Sequence, residues 1–241
     1  MPPTLDQLRR YAVARTLFKP TMLMRAIEKL GFVQADPIRA PARAQDLTLR
    51  HRVRDYRAGE LERRYPRLPL EEDFFVNYGF LPRAHQELMH PRQARTAWTP
   101  ARWKQAQAVR EFVAGRGVVH PREVEAHFAH GKTTNWFGGS SNASTQLLDG
   151  MHYRGLLRVA RREGGTRVYA VREDVAPVQA HEVGMRLDAL IDLIVGKYAP
   201  LPAASLRQLV GHLGNGVPQW RDACRPALLR ARQRLPCARV D

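Results

Sequence analysis

The amino-acid sequence predicts a mainly α-helical protein with short β-hairpins, and three observations point there. Apolar residues recur at helical spacing along most of the 241 residues. Strand-like runs are few and short. Glycine, proline and capping residues fall at the boundaries between them.

Taken in order, Leu5, Leu8, Tyr11, Ala12 and Ala14 follow a helical period, with Thr4 as N-cap and Gln7 at the capping-box position. A second helix is expected from about Thr21, after Pro20, to Leu30, where Gly31 stops it. Phe32 to Ile38 is short and alternating and reads as a strand. From Ala42 to Arg54 a helical pattern resumes, with Arg43, Arg50, Arg52 and Arg54 as basic positions. A joint containing Pro66, Pro69, Pro82 and Pro91 follows.

The segment from Thr99 to Val171 is the most explicit. Pro100 begins a helix that runs through Ala114 and is ended by Gly115 and Gly117. His120-Pro121 opens a second helix, with Val124 and Phe128 on its apolar side. Ser140 to Tyr153 fits a third, buried through Leu147, Leu148 and Met151. Leu156–Arg162 and Thr166–Val171, joined through Glu163-Gly164-Gly165, read as a β-hairpin with Arg161, Arg162 and Arg167 at its tip. Three helices followed by a basic-tipped hairpin describe a winged helix with its wing. Two helices, a short strand and a third helix near the start of the chain resemble the first part of another. The pattern begins a third time with helices expected at Val183–Tyr198, Ala203–Leu213 and Val217–Leu235, but no hairpin follows before Asp241. The expected architecture is therefore tandem winged-helix (helix-turn-helix) domains, C-terminally truncated. Residues 1–95 would form the first winged helix and a joint, 96–178 the second, and 179–241 an incomplete third.

Charge narrows the function. The chain has 39 Lys and Arg against 23 Asp and Glu, a formal net charge of +16, and arginine greatly outnumbers lysine. A high-GC genome would raise the Arg/Lys ratio, but not the excess over acids. Arginine forks match phosphate geometry, so the excess points to nucleic acid. No run of apolar residues is long enough for a membrane span, and the N-terminus has no secretory pattern. Cys224 and Cys237 are too few for a disulfide framework and read as plain thiols. A cytoplasmic, nucleoid-associated protein with no membrane partner and no cofactor is the expectation.

Gln34-Ala35-Asp36 is the first candidate for chemistry. On a strand, residues i and i+2 share a face, so an amide and a carboxylate would lie side by side. Such a pair can hold one water and stabilise positive charge opposite it. The competing reading makes Asp36 a cap before Pro37 and Gln34 a surface residue. Ser140, Ser141 and Asn142, with Ser144, Thr145 and Gln146, form a second cluster suited to phosphate at a helix start, or to ordinary capping. Arg161, Arg162 and Arg167 would track the DNA backbone from the wing, joined by Arg43, Arg50 and Arg52. His127 and His130 are spaced i,i+3 with His120 near, but no third ligand with convincing spacing follows, so no metal site is expected. Trp98, Trp103 and Trp136 read as packing residues.

Two blocks carry a family likeness. Leu30-Gly31-Phe32-Val33-Gln34-Ala35-Asp36-Pro37-Ile38, continuing through Ala40 to Leu47, resembles the signature of the winged-helix DNA glycosylases of the AlkZ/YcaQ-like superfamily. Asp73 to Pro82 is similar to their second recurrent block. The resemblance implies tandem winged helices plus a C-terminal β-barrel, the latter lying beyond position 241. It also implies excision of N7-alkylated purines, crosslinked ones included, from double-stranded DNA. The family's catalytic motif is Gln-x-Gln or Gln-x-Asp, and this chain carries the second form at Gln34 and Asp36. No conspicuously placed lysine suggests a Schiff-base lyase, so a monofunctional hydrolase is expected, as a monomer, with Asp46 the nearest further carboxylate in the block. A non-enzymatic winged-helix regulator, in which Gln34 and Asp36 are structural, is the alternative; a module binding acidic protein is a third.

Overall fold

The computed structural model describes residues 3–36, 38–129, 131–134 and 140–237, with residues 132–134 and 140–141 given by backbone alone. It is mostly helical, with small antiparallel sheets.

The first run of elements begins with α1 (Leu5–Thr16), where the Thr4–Gln7 capping box forms in both directions. No residue of α1 is buried. Helix α2 (Leu23–Leu30) buries Leu23, Ala26, Ile27 and Leu30 and ends at Gly31 in the left-handed region. After β1 (Val33–Gln34) come α3 (Ala44–Arg50), α4 (Glu60–Arg64) and a 3-10 turn at Tyr65–Arg67. The expected helix from 42 to 54 is thus only its middle part. Strands β2 (Leu70–Phe74) and β3 (Tyr78–Pro82) then form a hairpin, and α5 (Arg83–Glu87) follows. The sheet order is β1-β3-β2. What reads in sequence as a proline-rich joint is therefore a hairpin, a correction whose cause lies in β2. Glu71, Glu72 and Asp73 are consecutive and all buried, so the strand shows neither alternation nor an apolar run.

The second run repeats the topology: α6 (Pro100–Arg116), β4 (Val118–Val119), α7 (Pro121–Phe128), β5 (Lys132–Thr134), β6 (Ser140–Asn142), α8 (Ala143–Tyr153), β7 (Leu157–Glu163) and β8 (Thr166–Val171). Its main sheet has the order β4-β8-β7, and β5 pairs with β6 in a separate ribbon. In both sheets the last strand lies in the middle. Ser140–Asn142 is strand, not the first turn of α8 as its capping residues suggest; Asn142 alone is the N-cap. Gly164 and Gly165 have φ of 57° and 93° and close β7 onto β8 with the two-residue loop that hairpin twist favours. The last run is α9 (Ala180–Tyr198), α10 (Ala203–Gly216), a 3-10 segment (Pro218–Ala223) and α11 (Cys224–Arg234).

The hydrophobic core does not respect these divisions. One cluster joins Leu23, Ile27, Leu49 and Phe80 to Val109, Leu147, Met151 and Val159. The other joins Phe32, Phe75, Leu81 and Met89 to Leu187, Ile191, Leu213 and Ala227. Between them lies Asp73. Its carboxylate accepts from Arg92 NH1 at 2.7 Å, Gln86 Nε2 at 2.7 Å and His90 Nε2 at 2.7 Å. Arg92 donates onward to the carbonyls of Phe74 (2.9 Å), Tyr153 (2.9 Å) and Gly216 (2.7 Å), one from each run of elements. Gly216 is tightly seated: a Cβ there would lie 2.7 Å from the Phe75 carbonyl oxygen.

Two outcomes follow from this buried pair. Arg92→Ala leaves the Asp73 carboxylate uncompensated and should lower the free energy of unfolding by about 3–5 kcal/mol, read from urea denaturation. Burial lowers the His90 imidazole from 6.5 to about 4, despite the opposing pull of Asp73, so the folded state keeps it neutral. Asp73 is held well below the ordinary carboxylate range because Arg92 and His90 outweigh its burial. Between pH 6.5 and about 4 the unfolded chain takes up a proton on His90 that the folded chain does not. Stability should therefore fall by about 3 kcal/mol as pH drops through this window, at about 1.4 kcal/mol per unit. Below it, protonation of Asp73 extends the loss. Melting temperatures taken against pH should show this slope, and His90→Gln should flatten it above pH ~4.

Candidate active site and nucleic-acid interface

Strand β1 is only two residues long, and its end sets the geometry of the candidate motif. Gln34 is exposed and faces Gly79 across the ladder. Ala35 donates its N–H to the Tyr78 carbonyl at 3.0 Å, and the chain then leaves the sheet. Asp36 is half-buried. Its Oδ1 accepts the N–H of Ile38 at 2.8 Å, so the capping contact does form. Its own N–H donates to Oε1 of buried Gln45 at 3.2 Å. Gln45 Nε2 donates to Glu62 Oε1 at 3.3 Å, and Glu62 pairs with the Arg43 guanidinium. A chain of polar contacts from Arg43 to Asp36 thus fixes the backbone that carries the carboxylate.

Asp36 lines a cleft of about 220 Å³ between the first and second runs of elements. Ala35, Asp36 and Gln45 form one side. Thr145 and Asp149 of α8, and Arg162, Thr166, Arg167 and Tyr169 of the β7–β8 hairpin, form the other, with Tyr78 between them. Gln34 is not among the lining residues. The Tyr78 hydroxyl donates to Glu72 at 3.1 Å, and the Arg167 guanidinium stands 4.2 Å from its ring centre. Burial pushes the Tyr78 phenol well above its ordinary range, so it stays protonated. Asp149 Oδ1 accepts from Arg167 NH1 and from the Tyr169 hydroxyl, both at 2.9 Å. Thr145 and Asp149 are four apart on one face of α8, a spacing that sequence periodicity could have offered. Gln45, Tyr78 and Tyr169 reach the cleft through long-range packing that no local signal announces.

The basic residues fare unequally. Arg162 donates two hydrogen bonds to buried Glu72 (2.8 and 2.7 Å), and Arg43 is buried against Glu62, so both charges are neutralised inside the fold. Arg52 donates to the carbonyls of Thr16 and Thr48, both at 2.6 Å, tying α1 to α3. Arg167 is occupied with Asp149. Arg50 and Arg161 are exposed, the latter beside Glu163 at 2.7 Å. Asn142 accepts the Thr145 N–H at 3.1 Å as a cap. The side chains of Ser140 and Ser141 lie outside the described residues.

Other candidates have structural partners. Asp46 is buried and accepts from the Tyr56 hydroxyl at 2.8 Å and the Gly59 N–H at 2.9 Å. His120 caps α7, and His127 stacks on Phe112 at 4.5 Å. His130 and Trp136 fall outside the described residues. Trp98 packs between Trp103 and the Arg154 guanidinium, 3.7 Å above its ring. Cys224 is buried and Cys237 exposed, both as free thiols. Among the described residues no group of three metal-ligating side chains occurs, and no helix is long and apolar enough to cross a membrane.

Comparison with known proteins agrees with the geometry. The family model for the AlkZ-like DNA glycosylases matches residues 27–237, from within α2 to beyond α11, and so includes the whole cleft. Neither the curated proteins nor the solved structures give a match. With most of its length matched, the chain belongs to the AlkZ-like DNA glycosylase family.

Proposed function

We propose that this protein is a monofunctional glycosylase hydrolysing the N-glycosidic bond of N7-alkylated purines, interstrand crosslinks included, in double-stranded DNA. The observation that carries the reading is the Asp36 carboxylate, held at the edge of a cleft between two units of like topology. The helix–strand–helix–helix–strand–strand order, with its last strand central, supports winged helices at 1–95 and 96–178. An N7-alkylated purine already carries positive charge and leaves without a general acid. What remains is an oxocarbenium-like sugar and a water to capture it. Asp36 stabilises the cation and takes the water's proton, while Gln34, exposed at the end of β1 and outside the cleft lining, acts on the water only from the cleft's margin. None of the lysines lines the cleft among the described residues, which supports hydrolysis over Schiff-base chemistry.

Asp36→Asn discriminates the catalytic role from the capping one. The amide oxygen can still accept from Ile38, so the capping contact and the melting temperature should survive. Release of 7-methylguanine from duplex DNA should nevertheless fall by about 10²–10⁴-fold, and Gln34→Ala should cost less. An unchanged rate would defeat the assignment. A collapsed melting temperature with intact activity per folded molecule would leave Asp36 as a cap.

Backbone contact is assigned to the exposed arginines. Arg50→Glu and Arg161→Glu should each weaken duplex binding alike for every sequence, and reduce the slope of log affinity against log salt by about one. Fluorescence anisotropy across a salt series checks this. Strong preference for one operator would favour a regulator instead.

A further inference from the structure

A second carboxylate lining the same cleft as Asp36 has an arrangement of its own. Asp149 projects from α8 between two wing residues, and both of their hydrogen bonds converge on a single oxygen, Oδ1. Among the described residues Oδ2 receives no hydrogen bond, and the side chain, which lines the cleft, remains 49% exposed. One oxygen is therefore clamped by two donors, and the other is presented to whatever enters.

We propose that Asp149 is a specificity residue that reads the N1–H and N2–H donors of a guanine base, and so selects guanine over adenine lesions. The inference rests on the glycosylase reading above. Guanine is the purine with two adjacent N–H donors on its pairing edge, and a carboxylate oxygen is the acceptor they need. Adenine offers an acceptor, N1, at the corresponding place and would face Oδ2 oxygen to lone pair. The guanine N7 lies across the bicycle from N2, so a base held by this edge directs its N7 substituent out of the cleft. A bulky alkyl group is then no obstacle to recognition. Arg167 neutralises Asp149, so the pair reads hydrogen-bond polarity without a net charge that would hold a cationic base in place as its bond breaks. The cleft volume of about 220 Å³ suits a ring system, not a whole nucleotide; drug-sized ligands need roughly 300–1,000 Å³.

The clamp makes the test sharp. In Asp149→Asn, Arg167 and Tyr169 both donate toward the Oδ1 position, so the amide oxygen must settle there. The NH₂ group then replaces Oδ2, and the acceptor in the cleft becomes a donor. Release of 7-methylguanine and of 3-methyladenine is measured from duplexes carrying one lesion each, with wild type and Asp149→Asn. The expected result is a fall in the guanine-to-adenine rate ratio of roughly 10- to 100-fold, the cost of an unpaired donor set. Because both substrates meet the same preparation, the ratio is independent of how much variant is folded. Equal loss on both substrates, or no change in the ratio, overturns the proposal while leaving the glycosylase reading intact. Wild-type protein that releases neither base overturns that reading, and this inference with it.

Discussion

The arrangement of the molecule depends on the buried pair between Asp73 and Arg92. A guanidinium has five N–H donors in a fixed plane, and three different parts of the chain supply its acceptors. Taking two charges out of water costs several kcal/mol per ion, and attraction alone offsets this only when geometry is good and other hydrogen bonds are made. Here the Arg92 side chain is fully buried, and each of its nitrogens donates to an oxygen. Such a pair contributes less to net stability than to choosing one arrangement. Sliding α10 relative to α8 would strip Arg92 of the Gly216 or Tyr153 carbonyl, and the low dielectric makes that loss expensive. Hydrophobic contact between these elements is tolerant of small shifts; the guanidinium is not.

The same strand supplies the second constraint. Glu71 and Glu72 precede Asp73 and are buried with it, and their partners come mainly from the second run of elements. Arg158 donates to Glu71 at 2.7 Å, with Arg83 on the same carboxylate, and Arg162 engages Glu72. Two of the hairpin's arginines thereby fasten it to β2. In a chain of net charge +16, three successive acids in one buried strand place negative charge where it fixes the β7–β8 hairpin. The consequence for the cleft is direct, because Arg167 and Tyr169, on the neighbouring strand, are placed by that attachment. Gly165 completes it at the hairpin tip, where a Cβ would come within 3.0 Å of the Arg43 guanidinium.

How much of this was legible in the sequence follows from the range of the interactions. Capping at Thr4 and His120, the stops at Gly31 and Gly117, the buried stripe of Leu147, Leu148 and Met151, and the Gly164-Gly165 loop are set by neighbours a few residues away, and each formed where expected. Strand β2 was hidden because its burial is by ion pairing, which carries no hydrophobic period. Strands β5 and β6 were hidden because their residues are polar and show no hydrophobic period. The Gln34–Asp36 pairing was half legible. A two-residue spacing puts both side chains on one face only while the strand continues, and β1 ends at Gln34, so Asp36 turns into the cleft without it. The ion pairing of Arg162 and Arg167 was not legible at all, since a basic hairpin tip reads the same in sequence whether or not acids stand beside it in the fold.

Charge within the cleft has its own logic. Arg162 is paired with Glu72, and Arg167 with Asp149, so the side chains opposite Asp36 contribute polarity but little net charge. Among the described residues Asp36 has no cationic partner. Its carboxylate therefore adds nothing to affinity for a polyanion and works against it, and attraction to DNA must come from arginines outside the cleft. That separation suits catalysis by differential binding, in which a group raises the rate only through interactions stronger in the transition state than in the ground state. A sugar gains positive charge only as the glycosidic bond breaks. On the proposed role of Asp36, a carboxylate with no cationic neighbour keeps its attraction for that moment, whereas an arginine beside it would lower the cost of binding DNA and weaken that attraction.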